Sequence, residues 1–172
     1  MLAHLLKYDT AQGGYCGKIG EALHTVSADD EANTITVDGK TLKIYAEKDA
    51  KDLPWGEIGV DVVLECTGFY TSKAKSQAHI DAGAKKVVIS APAGNDLPTI
   101  FSVNEKTLTA DDTIISAASC TTNCLAPMAK ALNDYAPIQS GIMSTIHAYT
   151  GDQMILDGPH RRVTSAVHVP RC

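Results

Sequence analysis

The chain lacks several features that would assign it to a broad class of protein. It has no cluster of lysines and arginines, and its formal charge is −5, so nothing favours binding to nucleic acid or to an anionic membrane surface. Its apolar runs are short and interrupted, which argues against a transmembrane helix. The first residues carry neither the basic start nor the cleavage site of a signal peptide. We therefore expect a cytoplasmic protein with no nucleic-acid or membrane partner.

The cysteine pattern argues against two further kinds of site. Five cysteines stand at irregular spacing: Cys16, Cys66, Cys120, Cys124 and Cys172. An odd number at irregular spacing is not a disulfide framework and favours a reducing compartment. No second Cys or His pair at ligand spacing accompanies Cys120 and Cys124, so the sequence predicts no metal site. We expect Cys124 to be a buried small residue on a helix.

What the chain does contain is the composition of a soluble globular protein, with 44% hydrophobic and 20% charged residues over 172 positions. Apolar periodicity predicts a βαβ unit in its middle. Residues 60–68 and 85–92 are strand-like runs, and residues 72–84 between them have helical composition. This order predicts parallel strands with a right-handed crossover, whose ligands lie at the carboxyl ends of the strands. The predicted fold class is α/β.

Other elements are predicted on both sides of this unit. Residues 1–9 place apolar side chains on one face of a short helix that has no N-cap. Residues 33–45 alternate apolar and polar side chains around an Asp-Gly pair, which is a strong signal for a β-hairpin. The glycine-rich residues 10–17 are predicted to be a connector, because no strand precedes them and no helix follows. Three further apolar runs are predicted to be strands: residues 99–103, 113–116 and 141–146.

Cys120 stands where a strand is predicted to give way to a helix. The N–H groups and the positive end of a helix dipole lower the pKa of a thiol there and can hold an oxyanion. His147 follows the strand-like residues 141–146 and is a candidate base for that thiol. Spacing alone leaves the pairing open, because a buried cysteine and a hydrogen-bonded histidine are commoner than a catalytic pair.

Two motifs resemble phosphorylating glyceraldehyde-3-phosphate dehydrogenase. Residues 119–127 read SCTTNCLAP, and residues 145–153 read TIHAYTGDQ. The resemblance runs from the first residue to about residue 160. It implies a partial Rossmann-type NAD-binding domain with a β-hairpin insertion over residues 1–118, and the start of an α+β catalytic domain over residues 119–161. It also implies a homotetramer as the assembly of the family.

The resemblance implies a mechanism and a set of site residues. Cys120 would attack the aldehyde carbon of glyceraldehyde 3-phosphate, and His147 would keep the thiol ionised and take the proton of the hemithioacetal. Hydride would pass to NAD, and inorganic phosphate would then release 1,3-bisphosphoglycerate from the thioester. The implied NAD-binding residues are Thr67, Gly68 and Ser90. The implied phosphate-binding residues are Ser119, Thr121, Thr150 and Asp152.

Two alternatives stay open beside this interpretation. An erythrose-4-phosphate dehydrogenase shares much of the motif around Cys120. The residues of that motif, CTTNC at 120–124, disfavour an aspartate-semialdehyde dehydrogenase. The other alternative is a non-catalytic fragment that binds intact subunits. A dehydrogenase assay separates these alternatives, because only an enzyme forms NADH in a phosphate-dependent reaction.

The chain departs from the family at both ends. No strand, Gly-x-Gly-x-x-Gly turn and ribose-binding acid precede residue 1, so we expect poor affinity for NAD. For the same reason the sequence does not decide between NAD and NADP.

Residues 163–170 match the family's Gly-Asp-Leu-Arg-Arg-Ala-Arg-Ala loop when the gene is read one base later. We therefore expect residues 162–172 to be a frameshifted tail and Met1 to be an internal start. With one strand of the catalytic domain, this chain alone is expected to be inactive and partly folded.

Overall fold

The computed structural model describes residues 1–8, 14–15 and 24–150. The chain divides into two compact units, Met1–Ala131 and Leu132–Cys172. The strands are β1 (Val26–Asp29), β2 (Thr34–Val37), β3 (Lys40–Lys43), β4 (Val62–Glu65), β5 (Lys86–Ile89) and β6 (Ile114–Ser116). The α-helices are α1 (Leu2–Lys7), α2 (Lys73–Asp81) and α3 (Thr122–Tyr135), and short 3-10 helices cover Ala50–Asp52 and Glu105–Thr107. Most of the glycine-rich residues 10–17 lie outside the described residues.

The predicted β-hairpin is confirmed, and a third strand joins it. β2 and β3 pair in antiparallel fashion, with Val37 opposite Lys40. The two residues between them, Asp38 and Gly39, have φ angles of 50° and 77°. This left-handed pair is the turn that matches the twist of hairpin strands. β1 pairs with the other edge of β2, with Val26 opposite Val37, so the first sheet has the order β1-β2-β3.

The predicted βαβ unit is also confirmed. β4, β5 and β6 form a parallel sheet in that order, and α2 connects β4 to β5. Ser72 caps α2, because its hydroxyl accepts a hydrogen bond from the backbone N–H of Lys75. The core of the unit is a cluster of buried apolar residues that includes Val63, Val87, Ile89 and Ile114. The predicted helix at the start of the chain is present as α1, and its N-cap residue, Met1, makes no side-chain hydrogen bond to the helix.

The strand predicted over residues 99–103 is wrong. Only Thr99 pairs with the parallel sheet, through a single bridge to Ser116. The side chain of Asn104 folds back on this segment, accepting from the N–H of Phe101 at 3.0 Å and donating to the carbonyl of Thr99 at 2.9 Å. Asparagine thus satisfies the backbone groups that a partner strand would otherwise bind.

The second unit, as far as residue 150, contains the end of α3 and a segment without regular secondary structure. The strand predicted over residues 141–146 is wrong, since residues 137–150 have no regular secondary structure. A strand needs a neighbour for its backbone N–H and C=O groups, and no other segment of the described residues pairs with this one. The side chains of Ile142 and Ile146 are fully exposed. Across the described ranges, no helix is long and apolar enough to cross a membrane.

Candidate active site

The carboxyl ends of the three parallel strands meet at one edge of the sheet. Glu65 at the end of β4 is in register with Ile89 at the end of β5, and Ile89 is in register with Ser116 on β6. Two backbone hydrogen bonds continue past the strands. The N–H of Ser90 donates to the backbone carbonyl of Glu65 at 2.9 Å, and the N–H of Ala117 donates to the backbone carbonyl of Ile89 at 3.1 Å. Residues that follow these strand ends are therefore neighbours.

Two of the predicted cofactor-binding residues form the turn after β4. The N–H and the hydroxyl of Thr67 donate to the carboxylate of Glu65 at 2.6 and 2.5 Å, and the N–H of Phe69 donates to the Thr67 hydroxyl at 3.1 Å. Gly68 has a φ angle of 77°, and a Cβ placed there would meet nothing within 4 Å. Both turn residues are exposed, so this left-handed turn lies open to a ligand.

The third predicted cofactor-binding residue, Ser90, is exposed directly after β5. Its backbone is hydrogen-bonded to Glu65 of the adjacent strand, which places it beside the turn formed by Thr67 and Gly68. The sheet thus brings all three predicted residues to the same edge.

A buried polar pair lies behind this turn, and sequence reasoning missed it. Glu65 is 3% exposed and His79 is 4% exposed, and Nε2 of His79 lies 2.8 Å from Oε2 of Glu65. The indole N–H of Trp55 donates to Nδ1 of the same histidine at 3.2 Å. An acid within the apolar residues 60–68 was the available signal, because a buried carboxylate requires hydrogen-bonding partners.

Cys120 is exposed in the turn between β6 and α3, as its position in the sequence predicts. Its Sγ lies 3.8 Å from the hydroxyl oxygen of Thr121. The three cysteines in the described part of the chain, at positions 66, 120 and 124, form no disulfide. Cys124 is exposed, so its predicted burial is wrong: α3 has no buried residue, because no described element covers it on that side.

The turn that carries Cys120 is held by side chains on both sides. The hydroxyl of Ser119 accepts from the N–H of Thr122, the first residue of α3, at 3.2 Å, and the two hydroxyls lie 3.1 Å apart. Asn123 accepts from the N–H of Ser119 and donates to the carbonyl of Ala117 at 3.3 Å. Ser119 therefore acts as the N-cap of α3, and Asn123 is a second residue that sequence reasoning missed.

His147 and Thr150 lie in the second unit and are exposed. Nδ1 of His147 lies 2.5 Å from the carbonyl oxygen of Ala148. A carbonyl only accepts, so Nδ1 is the nitrogen that donates in this contact. The pairing of Cys120 with His147 stays a prediction, and Asp152 lies outside the described residues.

No group of three His, Cys, Asp or Glu side chains in the described ranges could hold a metal ion. The candidate functional features of the described residues are the edge of the parallel sheet at the carboxyl ends of its strands and the turn before α3. Both belong to the first unit, Met1–Ala131.

Two family models match the chain. One, described as the NAD binding domain of glyceraldehyde 3-phosphate dehydrogenase, matches residues 1–73. The other, described as the C-terminal domain of glyceraldehyde 3-phosphate dehydrogenase, matches residues 119–170. The domain boundary predicted at residue 118 and the aberrant tail predicted from residue 162 stay predictions.

Curated relatives carry the same family name. The chain is 60% identical over 163 residues to a glyceraldehyde-3-phosphate dehydrogenase of Clostridium pasteurianum, 63% identical to one of Lactobacillus delbrueckii subsp. bulgaricus and 53% identical to one of Streptococcus pyogenes. Each match covers 94% of this chain and 46% of the relative. The chain thus spans about half the length of these relatives.

Proposed function

This chain belongs to the glyceraldehyde-3-phosphate dehydrogenase family, and from that premise we propose that its residues serve the NAD-dependent, phosphorylating oxidation of glyceraldehyde 3-phosphate to 1,3-bisphosphoglycerate. The observation that carries this proposal is the position of Cys120. Its thiol is exposed immediately before a 14-residue helix, α3, in a turn that Ser119 and Asn123 hold in place.

The edge of the parallel sheet at the carboxyl ends of its strands offers exposed groups that can bind NAD. Ligands of parallel sheets bind outside the carboxyl ends of the strands, and here that edge presents the exposed Thr67, Gly68 and Ser90. The open space around Gly68 lets a ligand approach the backbone closely. We propose that these three residues hold the nicotinamide dinucleotide, which when bound accepts the hydride.

Cys120 is the proposed nucleophile. The positive end of the α3 dipole stabilises a thiolate at this position. The thiolate adds to the aldehyde carbon: a C–S bond forms, the carbonyl π bond breaks, and the oxygen takes up the proton that the thiol released on ionising. Loss of hydride from that carbon, with loss of the hydroxyl proton, converts the hemithioacetal to a thioester on Cys120. An oxygen of inorganic phosphate then attacks the thioester, the C–S bond breaks, and the thiolate is regenerated as the acyl phosphate leaves.

His147 is the proposed base. Its Nδ1 donates to the carbonyl of Ala148, and we propose Nε2 as the ring nitrogen that accepts the hydroxyl proton of the hemithioacetal. This step requires His147 and Cys120 to meet, as the family resemblance implies.

Short hydroxyl side chains near the nucleophile are the proposed phosphate ligands, together with Thr150 and Asp152. The Thr121 hydroxyl lies beside the Cys120 sulfur. The Ser119 hydroxyl already contacts Thr122, but a hydroxyl donates one hydrogen bond and accepts two. Ser119 can therefore keep accepting from the N–H of Thr122 while its O–H, which donates to the Thr122 hydroxyl in this structure, turns toward a phosphate oxygen.

Thiol reactivity tests the proposal directly. We would time iodoacetate labelling at neutral pH by peptide mass spectrometry, with the exposed Cys66 and Cys124 as internal references. Cys120 is expected to react at least about tenfold faster than either reference, because the positive end of the α3 dipole stabilises its thiolate form. The variant Cys120→Ser should lose only the fast phase. Equal, slow labelling of all three thiols would contradict the proposal.

Cofactor binding and turnover complete the test. Calorimetric titration with NAD checks the strand-end site, and NADH formation with glyceraldehyde 3-phosphate is measured with and without inorganic phosphate. Erythrose 4-phosphate is the comparison substrate. Faster turnover of erythrose 4-phosphate would overturn the proposed substrate while leaving the cysteine chemistry in place.

A further inference from the structure

A carboxylate with no proposed role in the reaction lies directly beneath the open turn after β4. Glu65 is 3% exposed, and both of its oxygens are engaged. Oε1 accepts two hydrogen bonds, from the N–H and the hydroxyl of Thr67. Oε2 faces Nε2 of His79 at 2.8 Å. The acid therefore joins the turn to helix α2, on which His79 lies.

The neighbouring indole determines the direction of these hydrogen bonds. The Nε1–H of Trp55 is a donor only, and it points at Nδ1 of His79 at 3.2 Å. Nδ1 must then be the acceptor nitrogen, so Nε2 carries the hydrogen and donates it to Glu65. The carboxylate consequently accepts at both of its oxygens, and Trp55, His79, Glu65 and Thr67 form one chain of hydrogen bonds.

This chain of hydrogen bonds begins and ends at one surface feature. Trp55 and Thr67 both line an open cleft of about 580 Å³. The turn is also held from its far side, since the carbonyl of Tyr70 accepts from the hydroxyl of the fully buried Ser76 at 2.7 Å. Gly68, with its φ angle of 77°, lies between the two attachments. The turn is therefore fixed at both ends while its middle stays open.

We infer that Glu65 is a positioning residue, which holds the Thr67–Gly68 turn in the shape that receives the dinucleotide, and that His79 and Trp55 hold Glu65 in place. The ligand in this inference rests on the proposed function. The positioning itself rests only on the hydrogen bonds and can be measured without a ligand.

A carboxylate is required at this position. The side chain of Glu65→Gln has nearly the same shape but offers one acceptor oxygen and one NH₂ donor group. That NH₂ group must face either the donors of Thr67 or the Nε2–H of His79. The ring cannot resolve the conflict by moving its hydrogen to Nδ1, because the Trp55 N–H is there. One buried donor therefore loses its partner, a change that opens the turn.

Hydrogen exchange and NMR of the whole chain test the positioning. In Glu65→Gln the Thr67 amide is expected to exchange about tenfold faster or more, while the amides of Val87 and Ile89 in the sheet stay unchanged. The single tryptophan gives one indole signal, and that signal and the ring ¹⁵N pattern of His79 should shift together. The control is Glu105→Gln, at an exposed acid of a 3-10 helix, which should move none of these signals.

A second pair of variants covers the case in which Glu65→Gln does not fold. Thr67→Val removes the hydroxyl that donates to Glu65, and Thr67→Ser retains it. The His79 ring signals should shift in the valine variant and return to the wild-type position in the serine variant. Identical His79 signals in all three proteins would overturn the inference.

NAD titration separates this inference from the proposed function. The dissociation constant for NAD is expected to rise about tenfold in Glu65→Gln, the loss that follows from one unpaired buried donor, and to stay unchanged in Glu105→Gln. If the wild type binds no NAD but the Thr67 amide still depends on Glu65, the proposed function fails and the positioning role stands. Unchanged Thr67 exchange in Glu65→Gln would overturn the positioning role. If the wild type does bind NAD, an equal NAD affinity of the variant would overturn it as well.

Discussion

A Cβ placed on Gly83 would lie 2.5 Å from the Cα of Gly56. Gly83 follows Ala82, the C-cap of α2, and has a φ angle of 102°. The N–H of Gly56 donates to the carbonyl of Ala82 at 2.9 Å, so two backbone segments touch without side chains between them. This approach positions Trp55, the residue before Gly56, against α2.

We predict that Gly83→Ala lowers the free energy of unfolding by about 2 to 4 kcal/mol, since a left-handed φ and a backbone clash add together. Urea unfolding followed by circular dichroism measures the change. Gly39→Ala is the matched control, because Gly39 also has a positive φ but nothing lies within 4 Å of its added Cβ. It should cost only about 1 to 2 kcal/mol. Equal losses in the two variants would contradict the clash.

The parts of the fold that could be predicted from the sequence are those that depend on neighbours along the chain. The Asp-Gly pair at 38–39 determines its own turn geometry, and the hairpin follows from it. The strand, helix and strand between residues 60 and 92 form one connected unit whose handedness is constrained. The position of Cys120 followed from the same kind of local reasoning.

The parts that could not be predicted depend on what lies nearby in space. Residues 99–103 have the composition of a strand, but Asn104 satisfies their backbone instead. Cys124 was predicted to be a buried small residue on a helix, yet a helix face is buried only where another element covers it. The pairing of Glu65 with His79 joins residues 14 positions apart, and no local pattern indicates that their side chains meet.

Shortening a side chain of the parallel sheet to alanine should lower stability at a buried position but not at an exposed one. Ile89 is fully buried in β5, whereas Leu64 on the adjacent β4 is 69% exposed. We predict that Ile89→Ala costs about 2 to 5 kcal/mol of unfolding free energy, through lost burial and the cavity left behind. Leu64→Ala should change stability by less than about 0.5 kcal/mol. Thermal unfolding of the two variants side by side makes the comparison, and a large loss in Leu64→Ala would mean that another element covers this face.

The cap at the start of α3 should affect both stability and thiol reactivity. Ser119→Ala removes the hydroxyl that accepts from Thr122, so we predict a loss of about 1 kcal/mol in the free energy of unfolding. Cys120 should also be alkylated more slowly, because the turn that orients it toward the helix end loosens. Ser119→Thr retains the hydroxyl and should recover most of both properties. Denaturant unfolding and iodoacetate labelling are the measurements, and unchanged labelling in Ser119→Ala would argue against a role of the cap in orienting the thiol.

The hairpin should contain a pH-dependent contribution to stability. The carboxylate of Asp38 accepts from the N–H of Thr25 at 2.8 Å and lies 2.8 Å from Nδ1 of His24. Both hydrogen bonds lower the pKa of Asp38 below its usual value of 3.8, and the one from the N–H of Thr25 has the larger effect. A group whose pKa is lowered in the folded state stabilises that state above its unfolded pKa, and the stabilisation is lost as the pH falls through the folded pKa.

Asp38→Asn tests this contribution while keeping the turn, because asparagine also tolerates the positive φ of 50° at this position. The variant should be less stable than the wild type at neutral pH, and the difference should shrink once the pH falls below about 4. His24→Gln should reduce the pH-dependent difference without removing it, since the N–H of Thr25 is the larger cause of the lowered pKa. Thermal unfolding of all three proteins across this pH range makes the measurement. A constant difference between wild type and Asp38→Asn from neutral to acid pH would mean that the negative charge of Asp38 does not stabilise the hairpin.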